Sequence, residues 1–355
     1  MSATAPASQS WQAFDPKQPS THLRERWKYS RLPAYAALID EAGSCEAATG
    51  PFQVTGVPQP APIAGAQALT EAAVSHDDWA SYPLAAAAIQ QGLGWQLTLA
   101  QASALILGWG PGNGFGLIDL EANAAAEISV TTKQSQADSS VGALLLRVGP
   151  AARLSLDLGL LSLPARRYLM LRVELARDAQ LVLRNYIGAC AALRVETHVV
   201  LSGPGCDAVL DGAALVAGRE QVDQQLVVEH RSPQATSRHS YHCVGSEQGQ
   251  STFGGRIHIH PGARGSLAEL SNRNLALSAG CTLNTKPELE IYNDDVRCAH
   301  GATVGQLDAD ALFYLRSRGI DAARAQRLLT RGFLEERLAG PLAEAARDTF
   351  MGALP

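Results

Sequence analysis

The sequence predicts a mainly β protein, a solenoid of short strands bracketed by helical segments at both ends. Three observations carry this. From about Trp95 onward, short alternations such as Gln96-Leu97-Thr98-Leu99, Leu154-Ser155-Leu156-Asp157-Leu158, Leu181-Val182-Leu183 and Ile257-His258-Ile259 recur between Gly, Pro and Asn. Over them lies a longer pattern, in which an apolar residue is followed four positions later by Ala or Gly. It begins at Val148, Leu175, Leu201 and Ile259, in steps of 27, 26 and 58, the last close to two periods. Repeats of that size, built from short strands and tight corners, fit coils that bury their inward faces on their neighbours. Past His300 the period switches from two to that of a helix. Alternation alone fits a sandwich or a jelly roll equally well; the long repeat favours the solenoid. The expected division is an N-terminal tail and helical region over 1–93, a β core over 94–300 and a helical region over 301–355.

In chain order, the Ser-, Pro- and Gln-rich first ~20 residues read as a poorly ordered tail. Leu23 to Ser30 and Leu32 to Ile39 read as helix broken at Pro33. Gly50 to Gln67 reads as loop, and Asp77 to Ile89 as helix through the alanine run Ala85 to Ala88. The strands follow. In the tail, Asp308 or Asp310 caps a helix carrying Leu312, Phe313 and Leu315 that ends at Gly319. Asp321 starts a second, with Leu328 and Leu329, closed by Gly332. Pro341 opens a third, with Leu342, Ala345 and Phe350. Three short helices cannot bury three apolar stripes unaided, so they must pack on the β body, on each other or on a partner.

Composition narrows the function. At 46% apolar and 18% charged the chain reads as a packed globular protein. A formal charge of -5 provides no basic field for a phosphate backbone, which argues against nucleic acid as a partner. The six cysteines, at 45, 190, 206, 243, 281 and 298, show no CxxC pair or framework spacing and read as reduced thiols. With no signal-peptide order and no run of about 18 apolar residues, a cytoplasmic protein away from membranes is expected. The Gly-rich run Gly108 to Gly114 lacks a following Lys-Ser/Thr and reads as a loop rather than a phosphate cradle. Any nucleotide must therefore be hydrolysed by a partner. Gly-x-Ser-x-Gly is absent, which removes support for an elbow-type serine hydrolase.

Four groups carry possible chemistry. His239, His242 and Cys243 lie within five residues, and His258 and His260 stand two apart on one strand face. Imidazole and thiolate are natural zinc or iron ligands. The simpler reading, solvent-facing strand residues and turn residues, is favoured. Glu288 and Glu290 share a strand face, with Asp294 and Asp295 in the turn beyond. On a β-helix such carboxylates can bind Ca²⁺ or act on a sugar polymer, against the simpler reading of a solvated edge and a turn. Finally, Cys298-Ala299-His300 sets a thiol and an imidazole two apart where the last strand meets the tail. Two donors are too few to enclose a metal, so they form either half a site completed by another chain or a buried Cys and a capping His.

The segment Leu289-Glu290-Ile291-Tyr292-Asn293-Asp294-Asp295-Val296-Arg297-Cys298-Ala299-His300-Gly301-Ala302-Thr303-Val304-Gly305 resembles the signature of the SufD family. Asn272-Arg273-Asn274-Leu275, Thr285-Lys286-Pro287, Leu312 to Ile320, Phe253-Gly254-Gly255 and Glu25-x-Trp27-Lys28-Tyr29 resemble the same family. The strong likeness covers roughly residues 230 to 335. The sister family SufB carries an acidic Glu-His-Glu-Ala-like run where Cys298 to Gly301 stand here, and a cysteine shortly after its Arg-Asn pair. Arg273 to Ser278 contains none, although Cys281 lies close by. Both differences favour SufD.

The resemblance implies a right-handed parallel β-helix core with helical N- and C-terminal regions, and a scaffold subunit rather than an enzyme. It implies pairing with a SufB-like subunit through the last strands, and docking of a SufC-like ABC ATPase on the helical tail, at a surface including some of Leu312, Phe313, Leu315, Leu328 and Phe333. A transient iron–sulfur cluster would form at the partner interface, with His300 as a ligand and Cys298 as its companion. ATP-driven closure of two SufC chains would pull on the tails and expose that site. The assembled complex is a candidate to bind a flavin. The alternatives are a SufB-like homodimeric scaffold and a β-helix carbohydrate-active enzyme using the carboxylates around Glu290 and Asp295. In isolation the chain is a candidate homodimer through its unpaired edge.

Overall fold

The computed structural model describes residues 52–56, 61–63, 85, 93–110, 112–132 and 139–354. Alternation from Trp95 onward builds two parallel sheets that face each other across a flat apolar core. One contains β4 (Ser103–Trp109), β6 (Ala125–Thr132), the first halves of β8 (Arg153–Leu175) and β9 (Gln180–Leu201), β10 (Asp207–Val216), β12 (Thr236–Gly245), β14 (Ser266–Ala276) and β16 (Val296–Gly305). The other contains β3 (Leu93–Leu99), β5 (Gly112–Leu120), β7 (Ser140–Val148), the second halves of β8 and β9, β11 (Gln221–His230), β13 (Gln250–Ile259) and β15 (Thr282–Ile291). The chain passes from one sheet to the other and back, giving a β-solenoid of about seven turns. This excludes the sandwich and the jelly roll, whose strands are antiparallel.

Register explains the sequence repeat. Val148, Leu175 and Leu201 are stacked partners at the ends of successive strands, and the column continues through His230 to Ile259. The 58-residue step is therefore two coils, the middle one hidden because a histidine occupies the apolar position. The corners stack as well. Asn123, Ala151, Asp178, Gly205, Gln234 and Gly265 all have φ between +56° and +73°. Each donates its N–H to a carbonyl of the next coil, as Ala151 does to Arg177 and Gln234 to Arg264. Placing alanine or glutamine in this left-handed region costs about 1–2 kcal/mol, so the corner ladder holds against local preference.

Several expectations are corrected. The stretch 50–67 contains β1 (Phe52–Thr55) and β2 (Ala61–Ile63), which pair antiparallel with β4 and β3; Phe52 is buried and stacks on Trp109 at 6.3 Å. Gly108 to Gly114 is mostly strand, the end of β4 and the start of β5. On the adjacent strand β7 (Ser140–Val148), Gly142, the partner of Gly114, leaves room for bulky rings: a Cβ there would lie 2.8 Å from the Phe52 ring and 3.0 Å from Trp109. The expected N-terminal helices lie outside the described residues, except that Ala85 is helical and buried.

The tail forms α1 (Ala309–Ser317), α2 (Ala322–Glu335) and α3 (Ala343–Ala353). Asp308 caps α1, accepting from the N–H groups of Asp310 and Ala311, and Asp321 caps α2 through Arg324. Helix α2 runs through Gly332, where the sequence suggested a stop, because Leu334 beyond it is buried. The anchors are specific. Phe350 of α3 sits on Gly188, Tyr186 Oη bonds both N and O of Ala339, and Arg337 pairs with Asp211 at 3.3 Å. None of the described helices is long and apolar enough to cross a membrane.

Several inward positions are polar, among them His230, and Asn185 bonded to Gln224, and one of them has no partner. His239 lies between Leu210 and Leu270 in its column, is 3% exposed, and finds no hydrogen-bond partner for either ring nitrogen. Burial pushes its pKa down to about 3, and that of nearby His230 to about 4. The unfolded chain therefore takes up these protons first as pH falls below about 6.5, so stability present above that pH is lost towards the folded-state values. Replacing His239 by Leu is expected to raise unfolding free energy at pH 7 by about 1–3 kcal/mol. It should also flatten the loss between pH 7 and pH 5, as urea titrations at the two pH values would show.

Candidate functional site: the open end of the solenoid

Strand β16 runs from Val296 to Gly305, so Cys298 and His300 lie inside the last strand rather than at its junction with the tail. They pair with Ala268 and Leu270 of β14, both buried in the core. Strand side chains alternate between faces, so Cys298 and His300 share the inward face, in the columns of Ala268 and Leu270. Among the described residues no further strand follows β16. β16 pairs only with β14 and β15 only with β13, leaving two unpaired edges among the described residues. Cys298 is half-buried against the core, whereas His300 is exposed. Burial raises the Cys298 thiol above its ordinary pKa, partly offset by hydrogen bonding to the backbone of Ala268. Ile291, Tyr292 and Val304 are exposed apolar residues on the same terminal coil.

The other candidates are dispersed. His239, His242 and Cys243 all lie within β12 and are buried, contrary to the solvent-facing reading. Cys243 faces the core. His242 faces outward but lies under α2, its ring stacked on Phe333 at 4.4 Å and its Nδ1 bonded to the Phe333 carbonyl at 2.8 Å. Burial lowers its pKa, helped by Arg337 and Arg273. The group is divided between two faces of one strand.

His258 and His260 stack face to face, 4.0 Å apart and 2° from parallel. Ring-nitrogen lone pairs lie in the ring plane, so those of a parallel stack cannot converge on one ion. Each imidazole instead meets a carboxylate, His258 with Glu290 at 3.5 Å and His260 with Glu229 at 3.0 Å. Glu229 also accepts from His198 at 2.7 Å and Arg231 at 2.8 Å, which hold its carboxyl well below the usual carboxylate range. Sequence reasoning missed His198 and Glu229. They are 31 residues apart, and only coil register brings them together. Glu288 is bridged by Lys286 at 2.9 Å and Glu290 by Arg256 at 3.2 Å, while Asn293 organises the turn by bonding Pro261 and Asp295. Among the described residues no group of three or more His, Cys, Asp or Glu is placed to hold a metal ion.

Comparison with known proteins adds to this geometry. Residues 115–333 match the family model for the SUF system FeS cluster assembly SufBD core domain. The chain belongs to the SufBD family. It is 35% identical to the iron–sulfur cluster assembly protein SufD of Escherichia coli over 174 residues, 49% of this chain and 40% of that protein. It is 34% identical to chloroplastic ABCI7 of Arabidopsis thaliana over 146 residues, 40% of this chain and 30% of that one. It is 28% identical to the iron–sulfur cluster assembly protein SufB of Bacillus subtilis over 136 residues, 38% and 29% of the two chains. The matches thus span less than half the length of these relatives. The family model covers most of the solenoid, and with it both strands of the pair that carries Cys298.

Thiol environment gives a direct check on the site. Burial pushes Cys190 and Cys243 up to about 12 and Cys206 up to about 11. At pH 8 a small alkylating agent is expected to modify Cys298 in the native protein at least about tenfold faster than Cys190 or Cys243, as followed by peptide mass mapping.

Proposed function

We propose that this chain is a SufD-type scaffold subunit that supplies Cys298 and His300 as donors to a nascent iron–sulfur cluster, the cargo of the assembly. The observation that carries this reading is the pair's position: a thiol and an imidazole on one face of the last strand, at the mouth of an uncapped solenoid. Thiolate and imidazole both ligate iron in such clusters, and two donors require others from a second chain. That second chain is a SufB-type subunit laid against the free edges of β15 and β16. The SufD assignment over SufB rests on Cys298 to Gly301 and on Arg273 to Ser278, which has no cysteine. The nearby Cys281 lies outside that stretch, in the corner after β14, with its Sγ bonded to the Ser278 carbonyl at 3.1 Å.

The tail provides a second surface. Helix α1 buries no residue, and Phe313 and Tyr314 on it are 72% and 56% exposed, as is much of Leu328 on α2. This is the face for a SufC-type ABC ATPase, whose nucleotide cycle works the assembled complex in the cytoplasm. The subunit itself has no catalytic role. The carbohydrate-enzyme reading loses ground because Glu288 and Glu290 are committed to Lys286, Arg256 and His258.

Co-expression with the SufB and SufC of the same organism, followed by native mass measurement, should give a complex of one copy of this chain, one SufB and two SufC. Substituting His300 by Ala should leave that complex intact and cut cluster yield at least about tenfold, with Cys298→Ala giving a smaller loss. Unchanged cluster yield with His300→Ala would sink the ligand assignment, and recovery of this chain alone would sink the partner assignment.

A further inference from the structure

Strand β16 carries both Cys298 and His300, and its ladder runs to β14 alone. Its two ends are fastened in different ways. At the start the corner ladder continues, with the Gly265 N–H donating to the Asp295 carbonyl at 2.7 Å and Asn293 Nδ2 to the Pro261 carbonyl at 2.6 Å. At the far end a side chain takes over. Asn274 of β14 donates from Nδ2 to the Thr303 carbonyl of β16 at 3.0 Å and to Asn272 Oδ1 at 2.7 Å. Asn272 Nδ2 in turn donates to the Tyr241 carbonyl of β12 at 3.4 Å. Two amides thus stitch β12, β14 and β16 together from inside the solenoid.

Packing does not require an amide here. In the column of Asn274 the earlier coils carry Ile187, Ala214 and Cys243. Both asparagines are buried, and a buried amide costs stability unless it is hydrogen-bonded, so the bonds are what this position gains. Around the stitch the packing is loose. A cavity of about 310 Å³ is lined by Asn274, Thr303, Gly305, Leu307, Leu329 and Phe333. The tail therefore leaves the far end of β16 unsupported by close contact. From there the chain runs through Gln306 to Asp308 into α1, which buries no residue.

We infer that Asn274 is a positioning residue: its amide clasps the far end of β16 and with it holds His300 in place, while the corner holds the near end and Cys298. The spacing is even, with Asp295 three residues before Cys298 and Thr303 three residues after His300. Asn272 orients the Asn274 amide by accepting its second N–H. The clasp rests on geometry alone, and its use in positioning a ligand rests on the reading of His300 given above.

Asn274→Leu keeps the branched shape and removes the hydrogen bonds. Asn274→Ala, which reproduces the Ala214 of the same column, serves if the leucine variant fails to fold. In hydrogen–deuterium exchange on the chain alone, the amides of 300–305 should exchange at least about tenfold faster in the variant, with β10 and β12 unchanged. Alkylation of Cys298, held by the corner, should change less than about twofold. Unchanged exchange at 300–305 would overturn the inference. So would a uniform rise across β10, β12 and β14, which marks an ordinary loss of core stability. In the complex with the SufB and SufC of the same organism, N274L should lower cluster yield at least about fivefold. If H300A lowers the yield and N274L does not, the positioning role is overturned and the ligand reading stands. If N274L loosens 300–305 while H300A leaves the yield unchanged, the clasp stands and the ligand reading has failed.

Discussion

Everything in this structure depends on in-register stacking of one coil on the next. A parallel ladder satisfies backbone donors and acceptors only where a neighbouring strand is present, so each coil is completed by the one after it. The corner residues show how strictly this is kept. Ala151 and Gln234 accept a left-handed backbone because their N–H groups then reach a carbonyl in the next coil. The same rule creates one exception. At β15 and β16 the ladder stops, and inward positions that elsewhere carry buried Ala268 and Leu270 are occupied by Cys298 and exposed His300. An unpaired edge is normally a hazard that proteins blunt with charge, and the outward face of β15 carries Lys286, Glu288 and Glu290.

The helical tail is arranged so that this end stays open. Its anchors fall on earlier strands: Phe350 on Gly188 and Tyr186 on Ala339 at β9, Arg337 on Asp211 at β10, and His242 on Phe333 at β12. On β14 the tail meets Leu275, which shares a buried apolar cluster with Leu334 and Phe350, and Arg273, which lies over the Phe333 ring and pairs with Glu336 in a half-exposed ion pair worth little in water. Apolar burial thus fixes the tail to strands that precede β15 and β16. Helix α1 is left at the periphery, joined to β16 by the short segment from Gln306 to Asp308.

How much of this was legible in the sequence follows from what each feature depends on. The strands and the coil length were readable because apolar alternation and the recurring columns through Val148, Leu175 and Leu201 are local signals. His230 concealed one coil by placing an imidazole where an aliphatic residue was expected. The stretch that holds β1 and β2 reads as loop because three- and four-residue strands in a Gly/Pro-rich stretch acquire their identity only by pairing with β3 and β4. The candidate pair Cys298 and His300 was legible by spacing, but not its inward direction. That is set by partnership with Ala268 and Leu270, and a slip of one residue would turn both outward. The network through His198, Glu229 and His260 depends on register across three coils, which no local pattern reports.

The half-buried thiol of Cys298 constrains how a site at this end can work. A partner laid on the open end removes water from Cys298, and desolvation disfavours the thiolate, adding to the upward shift already present. Closing the interface alone would therefore make this cysteine a poorer ligand. A cation arriving with or before the partner reverses the sign, because a metal-bound thiol is deprotonated outright and its proton is released on binding. In the proposed assembly, the cluster iron and the closed interface consequently stabilise each other. An empty closed interface lacks the cation that offsets desolvation of the Cys298 thiolate, and an open loaded one leaves the attraction between thiolate and iron screened by water.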